Sequence, residues 1–184
     1  MECGPIRHPI RFSERKEKDM ATLTAIKFST PEGAEKMLDK IQSLHQQQLI
    51  KLEDAAVVTW PVGRKSPKTR QVTSIASRAG KSALDGAFWG MLFGLIFFTL
   101  FSGFAVGAAV GALYGAMRDY GIDDGFIKET REKITEGTSA LFLMTSEAVV
   151  DKVVEHLKGE QMELIASNLT VEQEKNLRAM FAAE

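Results

Sequence analysis

The sequence predicts an α+β fold, and three observations carry that reading. Short segments that alternate apolar and polar residues are followed by segments with helical spacing, in the same order on both sides of the chain's middle. The middle itself, Gly86 to Met117, holds no charged residue and is bounded by Asp85 and Arg118. Its glycines recur every fourth residue, at Gly86, Gly90 and Gly94 and again at Gly103, Gly107, Gly111 and Gly115. Each set therefore lines one face of a helix.

Taken in order, residues 1–19 carry two prolines, mixed charge and few apolar residues, and read as a disordered leader with Met20 as an alternative start. Leu23 to Phe28 alternates into a strand. Thr30 and Pro31 then resemble a helix start, with Thr30 as N-cap. Ala34, Met37, Leu38, Ile41 and Leu44 form its apolar stripe, and the helix fades at Gln46–Gln48. His45 near its end suits the helix dipole better than catalysis. Ala55 to Val62 reads as the second strand. The basic run after Gly63, with Arg64, Lys65, Lys68 and Arg70, reads as a loop.

Beyond the apolar segment, the carboxylates of Asp119, Asp123 and Asp124 suit a turn and a helix N-terminus. They lack the closing glutamate of a calcium loop, so capping is favoured over metal. Phe126, Ile127 and Ile134 face that helix inward, and Gly137 ends it. Ser139–Met144 is the third strand, Ser146 caps a helix running through Val149, Val153 and Leu157, and Met162–Ala166 is the fourth strand. Thr170 with Gln173 starts a final helix.

Two strand–helix–strand units make the split βαβ, or ferredoxin-like, arrangement. The expected organisation is a leader at 1–19 and one α+β domain at 20–184. An inserted helical hairpin occupies 76–118, between the second and third strands, and an extra helix closes the C-terminus. As one straight helix the apolar segment would run about 48 Å. Both of its ends join one sheet, so a hairpin split near Thr99–Ser102 fits better, with Gly90 and Gly94 facing Gly107 and Gly111. Interior glycines cost about 1 kcal/mol each against alanine. Close helix packing along a glycine zipper offsets that cost. Phe88, Trp89, Leu95, Ile96, Phe97, Phe98, Leu100 and Phe101 are the expected lipid or subunit contacts. Folding back over the open face of the sheet is the alternative.

The order of features resembles the bacterial domain-of-unknown-function 1269 family, usually labelled predicted membrane proteins. The resemblance rests on Leu52-Glu53-Asp54-Ala55-Ala56-Val57-Val58, on the glycine-spaced segment running into Asp119-Tyr120-Gly121-Ile122-Asp123-Asp124, and on Gly137-Thr138-Ser139-Ala140-Leu141-Phe142. It covers about residues 20–184. It implies a membrane association and carries over no activity, cofactor or site residue.

Composition narrows the chemistry. A net charge of −1 offers nucleic acid no electrostatic footprint, and the lone Cys3 excludes a disulfide framework. No GxSxG, GxxxxGK[ST] or HExxH occurs, and His8, His45 and His156 are scattered. The expectation is a non-enzymatic protein without cofactor or metal, lying at the cytoplasmic face of a bacterial membrane. Its partner is another copy of itself, a lipid surface, or both. The alternative is a soluble regulatory module that binds a small ligand or a protein on its sheet.

Overall fold

The computed structural model describes residues 22–72, 82–98, 108–148, 157 and 161–168. The leader, Gly103, Gly107, His156 and the expected last helix lie outside these. The described residues form an α+β fold around a five-stranded antiparallel sheet. Its strands are β1 (Thr22–Phe28), β2 (Ile50–Thr59), β3 (Lys68–Gln71), β4 (Ser139–Ala148) and β5 (Met162–Ser167). Across the sheet they lie in the order β3-β2-β4-β1-β5. The helices are α1 (Gly33–Gln46), α2 (Ser82–Phe93), α3 (Ala108–Asp119) and α4 (Asp124–Lys133), and α2 runs on into a π-helical turn at Gly94–Phe98.

Each face of the sheet has its own cover. On one, Ile26, Phe28, Val57, Leu141 and Leu143 meet the stripe of α1, Met37, Leu38, Ile41 and Leu44, together with Leu157. On the other, Leu23, Ala25, Ala56, Val58, Ala140 and Phe142 meet α2, its π-turn, Met117 of α3 and the inner side of α4. The alanines leave a shallow trough, and large aromatic side chains fill it.

β2 begins at Ile50, earlier than the expected Ala55, and changes face on the way. The register against β4 shifts on either side of Leu52. Ile50 and Leu52 therefore pack on the α1 side together with Ala55 and Val57. Two residues opposite one is a β-bulge, and it turns Asp54 under the other face.

Three local expectations are corrected. Thr30 is not the N-cap of α1. Glu32 holds that position without a side-chain bond. The buried Ser139 of β4 does the work instead: its hydroxyl accepts from the Ala34 N–H at 3.0 Å and donates to the Thr30 carbonyl at 2.6 Å. The basic loop after Gly63 is in part a strand, since Lys68–Gln71 pairs with Ala56–Thr59 and makes β3. Its exposed, charged residues gave no apolar alternation to read. Ser146 lies within β4 and starts no helix at that point. Asp123, by contrast, is the N-cap of α4, accepting from the Phe126 N–H at 2.8 Å.

Candidate functional site: the α2 cover and its outer face

Among the described residues the apolar segment supplies α2 with its π-turn and α3, and the large side chains of α2 and the turn face inward. Phe88, Trp89, Leu95, Ile96 and Phe97 are all at most 6% exposed within the single chain. They were expected at a lipid or subunit surface; here their apolar area is used against the sheet. The reason is that the sheet's second face is itself apolar, and α2 is the element that buries it. The side chain of Phe98 and residues Leu100 and Phe101 fall outside the described set.

The aromatic packing is ordered. Trp89 stacks on Phe93 at 5.6 Å and 20°, and Phe93 stands edge-on to Phe142 at 5.2 Å and 80°. Phe88 lies edge-on to Tyr120 at 5.2 Å. Such pairs contribute about 0.5–1.5 kcal/mol each beyond area burial.

Two polar attachments hold α2 down. At its middle, Trp89 Nε1 donates to Asp54 Oδ2 at 2.7 Å. The same oxygen accepts from Gln71 Nε2 at 2.9 Å, and Oδ1 accepts from the Ala55 N–H at 2.8 Å. Asp54 is only 4% exposed. It is satisfied by three neutral donors, and no cation pairs with it among the described residues. At the far end, Arg131 of α4 donates through Nε to the Ile96 carbonyl at 2.8 Å and through a terminal nitrogen to the Leu95 carbonyl at 2.5 Å. A π-turn displaces carbonyls from the ordinary helical ladder, which leaves them open to a side-chain donor.

The outer faces carry the small residues. Gly86, Ala87 and Gly90 on α2 and Gly111, Ala112 and Gly115 on α3 are exposed, and Gly94 is half-buried. A Cβ added at Gly90, Gly94, Gly111 or Gly115 would meet no atom within 4 Å; at Gly86 it would meet only Gln71 Oε1, at 3.8 Å. Among the described residues, the two arms of the segment therefore do not meet through these glycines, and α3 packs instead on the π-turn. Gly103 and Gly107 lie outside the described set.

The rest of the described surface offers little chemistry. No group of three or more His, Cys, Asp or Glu there is placed to hold a metal. No described helix is long and apolar enough to cross a membrane. His45 Nδ1 lies 3.2 Å from both the Ile50 carbonyl and the Leu52 N–H, so it ties the end of α1 to the start of β2.

Sequence reasoning missed Asp54 and Arg131. The only signal for the first is a carboxylate directly against the apolar run Ala55-Ala56-Val57-Val58. Nothing local marks Arg131, whose partners lie 35 residues and more away.

A family model described as "Protein of unknown function (DUF1269)" matches residues 83–182, which begin at α2 and take in α3, α4, β4 and β5. No curated protein and no solved structure matches the chain.

Proposed function

This chain belongs to the DUF1269 family, and we propose that it works without catalysis, as a self-associating protein whose outward glycine faces on α2 and α3 pack against a second copy. The observation that carries this is the empty space at Gly90, Gly94, Gly111 and Gly115. Interior helical glycines cost about 1 kcal/mol each against alanine. Where a fold needs a glycine for close approach, a Cβ there would collide. Here it would not, so the contacts among the described residues leave these glycines unaccounted for. Apposed glycine faces let two helices approach closely, which is the glycine-zipper reading of the segment.

A second copy suits this face better than lipid. Phe88, Trp89, Leu95, Ile96 and Phe97, which would partition into a bilayer, are turned into the core. Glycine and alanine present little apolar area to acyl chains, but they permit close backbone contact. A face that meets its own copy is also self-complementary, as a two-fold interface requires. The strand order, with β3 set aside, supports reading the sheet as a ferredoxin-like scaffold that displays these helices.

Sedimentation equilibrium over a range of concentrations tests the proposal. The wild-type chain is expected above its monomer mass of 20.3 kDa, and the Gly90→Leu, Gly111→Leu chain at the monomer mass. A wild-type chain that stays monomeric throughout would sink the reading. Co-sedimentation of a monomeric wild-type chain with anionic vesicles would favour the lipid alternative instead.

A further inference from the structure

Between Gly86 and Phe98 every residue is glycine or apolar. Burial favours turning the large-residue side of this helix to the sheet, but the effect is non-directional and sets the rotation only within a broad range. A polar helix face normally settles the matter, and this helix has none there. The stretch holds a single hydrogen-bonding donor on a side chain, Trp89 Nε1. The sheet beneath holds a single buried ionisable side chain among the described residues, Asp54. The two meet at 2.7 Å. With Trp89 directed down, Gly90 one residue on is exposed, and Gly86 three residues back shares that outer side.

We infer that Asp54 is the positioning residue for the self-association surface: its bond to Trp89 selects the rotation of α2 that turns the glycine face outward. This rests on the self-association reading for its consequence, but the rotation itself is a property of the single chain. Several features of the site agree. The bulge in β2 brings Asp54 to this face, where regular alternation continued from Leu52 would also have had to place every later apolar residue on the wrong side. Gln71 at the end of β3 donates to the same Oδ2 as Trp89, and a Cβ added at Gly86 would lie 3.8 Å from its Oε1, so this carboxylate's second partner stands near the start of the glycine face. A rotation that took Trp89 away would leave a buried carboxylate short of a donor. A rotation driven by apolar contacts alone would carry no such penalty. Buried polar pairs that specify one arrangement among similar apolar ones are known in other helical systems.

The test reads rotation directly in a Cys3→Ser chain carrying one reporter cysteine, either Gly90→Cys on the outer side or Leu92→Cys on the inner side. Thiol-labelling rates are measured at concentrations where the chain is monomeric. With Asp54 and Trp89 present, the outer cysteine is expected to react at least a hundredfold faster than the inner one. In the Asp54→Leu, Trp89→Phe double variant, which leaves neither polar group unpaired, that ratio is expected to fall at least tenfold. Asp54→Asn, which still accepts from Trp89, is expected to restore it. Loss of stability alone speeds the buried inner cysteine through transient opening and leaves the exposed outer one unchanged, whereas a changed rotation slows the outer one. A ratio that falls with the outer rate unchanged therefore overturns the inference. A ratio within twofold of wild type in the double variant overturns the inference. Where the double variant does not fold, Trp89→Phe alone decides by the same ratio. A wild-type chain that never self-associates overturns the preceding reading without touching this measurement.

Discussion

Gly33 shows how a single position can constrain an element. It opens α1 directly over Phe28, and an added Cβ would lie 2.4 Å from the Phe28 Cβ. Neither atom is the end of a flexible side chain, so the backbone has to shift. Gly33→Ala is expected to destabilise the chain by about 1–3 kcal/mol, as overpacking does, despite alanine's better helix propensity. Urea unfolding checks it; an unchanged midpoint would show that the helix start moves freely. Ser139 is the second such position. Ser139→Ala leaves the Ala34 N–H without its acceptor in a buried setting. A loss of about 1–2 kcal/mol is expected, with hydrogen exchange at Ala34 rising more than at the centre of α1. A loss spread evenly over α1 would argue against a capping role.

Helices α2 and α3 carry the element-scale prediction that separates fold from assembly. Since a Cβ at Gly90 or Gly111 meets nothing within 4 Å, alanine there is expected to stabilise the monomer by up to about 1 kcal/mol per site. The same substitutions are expected to weaken self-association, because each added methyl holds apposed backbones apart. Melting of the monomer and sedimentation of the oligomer should therefore move in opposite directions. Parallel movement would place the glycines inside the fold after all. Helix α4 offers a test in pH. Lys133 bonds Glu163 at 2.7 Å and Glu129 at 3.4 Å. Partial burial works to lower its pKa, but the hydrogen bonds and charges of Glu163 and Glu129 outweigh this and raise it above the ordinary 10.5. A raised folded-state pKa means the contribution is complete below the unfolded value and is lost as pH rises through the folded one. Stability measured between pH 9 and pH 12 should thus fall faster in the wild type than in Lys133→Met, the difference opening near and above about pH 10.5.

At the scale of the whole molecule, the apolar segment is structural before it is anything else. Removing Gly86–Met117 would uncover Leu23, Ala25, Ala56, Val58, Ala140 and Phe142 and would take Trp89 from Asp54. That chain is expected to lose cooperative thermal unfolding and to bind hydrophobic dye. A cooperative melt would mean that the sheet stands with one face bare, and that α2 is an accessory.

Much of this was legible in the residues. Leu23–Phe28, the stripe of α1, the Asp123 cap and the strands at Ser139 and Met162 follow from local period and cap chemistry, which act over a few positions. Helical spacing on either side of the segment's middle was legible too, as α2 and α3; the break expected at Thr99–Ser102 lies outside the described residues. Three things were not legible: β3, whose exposed polar residues leave no period; the Ser139 cap, which joins residues 105 positions apart; and the direction in which Phe88–Phe97 points. By itself, the sequence determined that a charge-free, glycine-spaced segment must be hidden from water on its large-residue side. Only the tertiary structure decided what hides it. An apolar face is satisfied equally by lipid, by a second copy or by a sheet, and the open alanine-lined face of this chain's own sheet was the surface already tethered within reach.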